Sequence, residues 1–157
     1  MSRPAAGAVA GAVAGLLMAV TLMVFTAAAG QGPWTIPNLI AATWLGPDAA
    51  DGVFGAASVV GFATHLGASA ALGVAALPFI YGLPPMRTVL VALVYALATF
   101  PVVFAFVLTW ANPLLIARSH LVSMTLAHGV FGIALGVTYL RFRGRISVRG
   151  SWRRVFR

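Results

Sequence analysis

The stretch AAGAVAGAVAGLLMAVTLMVFTAAA, from Ala5 to Ala29, runs for 25 residues without Asp, Glu, Lys or Arg. About 20 helical residues cross the hydrocarbon layer of a bilayer. Inside that layer each backbone N–H and C=O must find its partner within the segment, which a helix achieves and an isolated strand does not. The stretch therefore predicts a transmembrane helix. Arg3 ahead of an apolar run that ends in Ala27, Ala28 and Ala29 also has the outline of a secretory signal peptide. The apolar core of such a peptide is only about 7 to 15 residues long, so a spanning helix is the better fit.

Three further stretches share this character: Val53 to Tyr81, Thr88 to Trp110 and His120 to Leu140. The whole chain of 157 residues is 61% hydrophobic and 8% charged, against roughly 45–50% and about 25% in soluble domains. The fold class predicted is an all-α integral membrane protein of four transmembrane helices. Residues 1–140 form the membrane domain and residues 141–157 a basic tail.

Ten arginines, no lysine and two aspartates give a net charge of +8. Seven of those arginines fall in the tail: Arg141, Arg143, Arg145, Arg149, Arg153, Arg154 and Arg157. A basic cluster next to a membrane helix favours anionic lipid headgroups, at about 1 kcal/mol per residue near the surface, and nucleic acid is not the expected partner. Positive residues in short loops stay cytoplasmic. Arg3, Arg87 and the tail fall on one side of the four crossings, while Arg118, Asp48 and Asp51 fall on the other. Both termini are thus expected in the cytoplasm, in a membrane of the bacterial inner type.

The one long connection, Gly30 to Gly52, lies on the outer side. Trp34, Pro37, Leu39, Ile40 and Trp44 suggest a short interfacial helix there, since indole rings favour the headgroup level. Asp48 and Asp51 read as solvated loop carboxylates, with capping of the following helix as the alternative.

The chain also resembles itself. Trp34-Thr-Ile-Pro-Asn-Leu-Ile-Ala41 and Trp110-Ala-Asn-Pro-Leu-Leu-Ile-Ala117 agree at five of eight positions. The runs His65 to Val74 and His128 to Val137 share His, Ala, Leu, Gly and Val at identical spacing. The offsets are 76 and 63, so the first unit carries 13 extra residues in its outer loop. Two hairpins of like orientation would be related by a pseudo-two-fold axis along the membrane normal.

Helices in lipid associate by close backbone approach, which small residues permit. Gly7, Gly11 and Gly15 form such a ridge on the first helix, while Gly61, His65, Ser69 and Gly73 share one face of the second. On the fourth, Met124, His128, Gly132 and Gly136 do the same. The histidines should accordingly face protein. Pro101 is expected to kink the third helix.

His65 and His128 are the only ionisable side chains deep within the spans, which makes them default functional candidates; His120 reads as solvated at the outer edge. As a pair they suit the axial ligation of a haem iron, with Gly61, Ser69, Gly129 and Gly132 offering room for the ring. A dihistidine metal site drawing on Met18, Met23 or Met124 would use the same residues. No carboxylate lies in the spans and no cysteine is present, so an enzyme is not expected. The excess of packing motifs over reactive groups points first to association, as an accessory subunit of a membrane complex or as a homo-oligomer, with the glycine ridge Gly7, Gly11 and Gly15 of the first helix as the expected contact. A haem-binding redox subunit and a small channel or carrier are the alternatives.

Overall fold

A computed structural model describes residues 1–143. These residues form helices throughout: α1 (Arg3–Ala28), α2 (Thr35–Leu45), α3 (Ala56–Ala75), α4 (Leu77–Ile80), α5 (Pro85–Val102), α6 (Thr109–Ala111), α7 (Pro113–Arg118) and α8 (Leu121–Arg143). A six-residue π-helical stretch, Val103–Leu108, joins α5 to α6, so that Pro85–Ala111 is continuous. Four segments are long and apolar enough to span a membrane: Arg3–Ala28, Ala56–Ala75, Pro85–Ala111 and Leu121–Arg143. Arg145, Arg149, Arg153, Arg154 and Arg157 lie outside the described residues.

The second spanning helix is shorter than its uncharged run implies. Residues 51–55 are held in a turn before it, and Gly55 caps the helix, its N–H donating to Ser58 Oγ at 3.2 Å. At the far end Pro78 has no N–H to continue the ladder, and α3 stops at Ala75. Asp51 is not a helix cap. Its Oδ1 accepts from Asn38 Nδ2 at 2.8 Å and from Val53 N at 3.0 Å, which fastens the loop to α2. In α5 the expected irregularity appears as the wide π turns that begin two residues after Pro101, where the ring removes a donor and crowds the preceding turn.

Side by side the spans run α3, α1, α8, α5, each packed along its neighbour. The α1–α3 contact is a backbone contact. A β-carbon on Gly7 would stand 2.9 Å from the Gly73 carbonyl oxygen, and one on Gly73 would stand 2.7 Å from Gly11 Cα. Gly15 lies against the Ser69 side chain, while Gly61 accepts the backbone of α2 at Pro37. On the other flank, Gly132 and Gly136 approach Leu93 Cα and Val89 Cα of α5 as closely as 2.6 and 2.7 Å for the missing β-carbon. The small-residue stripes thus do the work that apolar burial does in water. Their consequence for association is a correction: the ridge Gly7, Gly11, Gly15 is filled by α3 of the same chain and offers nothing to a partner.

The two-fold relation implied by the repeat is not followed by the packing. Such symmetry would pair α5 with α3 as α1 pairs with α8. Instead α3 and α5 stand apart over much of their length. They are tied near Leu72, whose carbonyl accepts from Tyr95 Oη at 3.1 Å. At one end of the molecule the Arg3 guanidinium sits 4.3 Å above the Tyr81 ring, and Arg143 donates to Leu83 O at 2.8 Å. At the other end Arg118 donates to Ala50 O at 3.3 Å.

A leucine at position 11 should force α1 and α3 apart, costing at least about 1–3 kcal/mol. Gly129→Leu, at a helical position where nothing lies within 4 Å, should cost little. Unfolding midpoints in mild detergent check this: Gly11→Leu is expected to fall well below the wild type and Gly129→Leu to match it.

Candidate functional site

The helix register that aligns Gly61, His65, Ser69 and Gly73 turns the His65 ring toward α1, where its Nε2 lies 2.9 Å from Gly15 O. A carbonyl oxygen only accepts hydrogen bonds, so Nε2 carries the proton and Nδ1 of the neutral ring keeps a lone pair. On α8, His128 Nδ1 lies 2.8 Å from Met124 O, one turn earlier on its own helix. By the same reasoning its lone pair is on Nε2. The His128 ring also stacks on Phe100 of α5, with centroids 4.4 Å apart.

Both imidazoles line one cleft of about 110 Å³ in the gap between α3 and α5. Its walls are Ala68, Ser69 and Leu72 on one side and Tyr95, Ala96, Thr99 and Phe100 on the other, with Met18 and Phe131 behind. The gap exists because α1 and α8 pack between the two outer helices and hold them apart. Tyr95 bridges it with its bond to Leu72 O, and Thr99 turns its hydroxyl back to Tyr95 O at 2.7 Å. The cleft is apolar apart from these hydroxyls, Ser69 and the two rings.

The structure therefore brings together the two histidines that the sequence singled out. It does not keep the space expected beside them. Gly61 is filled by α2 and Gly132 by α5, each through close backbone packing, and the Ser69 side chain, at the wall of the cleft, is pressed against Gly15 of α1. Around Gly129 nothing lies within 4 Å. Of the three methionines considered as further ligands, Met18 lines the cleft, whereas Met124 gives its carbonyl to His128. Of the tail arginines, Arg141 and Arg143 lie among the described residues, and Arg143 is bonded to the Leu83 carbonyl.

Two asparagines went unremarked in the sequence. Asn38 is fully buried and joins Asp51, Val53 O and Ser58 at 2.7–2.8 Å. Asn112 caps α7 through Leu115 N and donates to Leu39 O and Thr43 Oγ1 at 2.7 Å. Each sits beside the proline of the repeated motif, and a carboxamide within so apolar a motif was the available signal.

Compared with protein-family models, curated proteins and solved structures, the chain has no significant match in any of the three.

The two rings should exist as opposite neutral tautomers, His65 protonated on Nε2 and His128 on Nδ1. Nitrogen-15 NMR of histidine-labelled protein in micelles reports this directly. One shared tautomer for both residues would contradict the assigned hydrogen bonds.

Proposed function

We propose that the chain acts by lateral association in the membrane, as a homo-oligomer or as an accessory subunit of a larger membrane complex, with α3 as the contact. One observation carries this reading. The side of α3 turned away from α1 presents Ala63, Gly67, Ala71 and Ala75 at four-residue spacing, all exposed. The outward side of α1 presents Val9, Val13, Leu16, Leu17, Val20 and Val24, and that of α5 presents Leu90, Val94 and Leu97. Branched side chains are what lipid tails accommodate. A small-residue stripe is what a second helix needs for close approach. In this reading the chain sits in a membrane of the bacterial inner type. Both ends are cytoplasmic and the basic tail rests on anionic lipid.

Because the chain has no cysteine, single introduced cysteines report neighbours without background. Oxidation of membranes carrying Gly67→Cys or Ala71→Cys should give a disulfide-linked dimer, whereas Val13→Cys should stay monomeric. A cross-link to a larger, different protein would favour the accessory-subunit form. Uniformly monomeric chains at positions 63, 67, 71 and 75 would remove the support for α3 as an interface.

The second reading, a haem-binding redox subunit with His65 and His128 as axial ligands, draws on the shared cleft. Metal-ligating histidines characteristically donate the other ring N–H to a carbonyl, as both do here. Against it stands size: 110 Å³ is below the roughly 300–1,000 Å³ of cofactor pockets, so α3 and α5 would have to part to admit a porphyrin. A visible spectrum of protein purified from haem-replete cells separates the readings. A colourless preparation is expected from association alone, and a Soret band lost in both His65→Ala and His128→Ala would establish the haem reading instead.

A further inference from the structure

A second cavity, separate from the histidine cleft, opens at the end of the molecule opposite Arg3 and Arg143. It has a volume of about 600 Å³ and is lined chiefly by Gln31, Thr35, Asp51, Arg118, Ser119 and His120. That size lies within the range of small-molecule sites, roughly 300–1,000 Å³. Its walls come from three separate places: the turn from α1 into the first residue of α2, the connection before α3, and the end of α7 with the residues that lead into α8.

Two features make this more than a polar surface. Asp51 and Arg118 carry opposite charges into the same cup, yet among the described residues they form no ion pair with each other. Each is fixed by other bonds: Asp51 Oδ1 accepts from Asn38 and Val53, and one Arg118 nitrogen donates to Ala50 O. That leaves the second carboxylate oxygen and the remaining guanidinium donors to meet something else. The wall carrying Ala50, Asp51 and Gly52 also belongs to the outer loop in which the first repeat unit has 13 residues more than the second. One wall of the cup is therefore built by the part of the chain that breaks the internal repeat.

An anion alone would meet the unneutralised Asp51 carboxylate, and a cation alone would meet Arg118. A ligand bearing both signs satisfies the two together. We propose that this cup binds a zwitterion with an ammonium group directed to Asp51 and a phosphate or carboxylate directed to Arg118, assisted by the Gln31 amide and the His120 ring. The same chemistry occurs in a free amino acid or phosphoethanolamine and in the phosphoethanolamine headgroup of an outer-leaflet lipid. The inference is independent of the α3 interface and of the histidine cleft.

Ligand-observed saturation-transfer NMR on the full chain in non-ionic detergent tests it, with phosphoethanolamine and glycine as zwitterions and inorganic phosphate and ethanolamine as single-charge controls. The zwitterions should bind about ten-fold tighter than either control, because only they meet both charged side chains at once. Arg118→Gln and Asp51→Asn should each weaken binding about ten-fold. The asparagine keeps the Oδ1 acceptor that holds the loop, and an unchanged unfolding midpoint would show that the fold is intact. If Asp51→Asn proves unstable, His120→Ala with Arg118→Gln carries the test. Phosphate binding as tightly as phosphoethanolamine, no transfer from any zwitterion, or full binding by the Arg118 variant would each overturn the proposal. Native mass spectrometry from phosphatidylethanolamine and phosphatidylglycerol nanodiscs assigns the source. Selective retention of phosphatidylethanolamine, lost in Arg118→Gln, identifies a lipid headgroup; zwitterion binding in micelles without lipid retention identifies a free solute.

Discussion

Hydrocarbon offers no hydrogen bonds to a peptide group, and the architecture follows from that. Each spanning segment satisfies its own backbone as a helix, which leaves no hydrophobic force to draw one helix to the next. What remains is contact between surfaces, and contact is closest where side chains are missing. Gly7, Gly11 and Gly73 bring the backbones of α1 and α3 together, and Gly132 and Gly136 do the same for α8 and α5. The order of helices, the gap between α3 and α5 and the position of both histidines all depend on these glycines.

Polar chemistry is confined to the edges of that framework and to one cleft within it. At one end Asn38 fastens α2 to the loop at Asp51 and Val53, and Asn112 fastens the start of α7 to α2. The bonds from Asn38 and Val53 fix Asp51 on the wall of the cup it shares with Arg118. Within the spans each imidazole gives its proton to a backbone carbonyl and retains a lone pair. Rings prepared in this way can accept a hydrogen bond or a metal, and the narrowness of the cleft limits what reaches them.

Much of this could be read in the chain itself. Four uncharged runs give four spanning helices, and a four-residue spacing places His65 with Ser69 and Gly73. The boundaries shifted where loop chemistry intervened: Asp51 ties down residues that composition assigns to α3, and Pro78 ends that helix early. What stayed hidden was which neighbour each stripe meets. A glycine ridge specifies close approach without naming the partner: Gly7, Gly11 and Gly15 read equally well as a contact for another chain, and it is α3 of the same chain that packs against them. The exposed alanines of α3 were equally invisible, because alanine is common throughout and only packing shows which ones lack a neighbour. The cup at Asp51 and Arg118 joins residues nearly 70 positions apart, beyond the reach of any local pattern.

Four crossings require Ser2 and Pro84 on one face of the membrane and Asp48 and Ser119 on the other. Single cysteines at these positions, labelled in sealed vesicles of known orientation by an impermeant maleimide, test this most directly. Labelling of Ser2→Cys and Pro84→Cys from one face, and of Asp48→Cys and Ser119→Cys from the opposite face, is the predicted result. Labelling of Ser2→Cys and Pro84→Cys from opposite faces would contradict it.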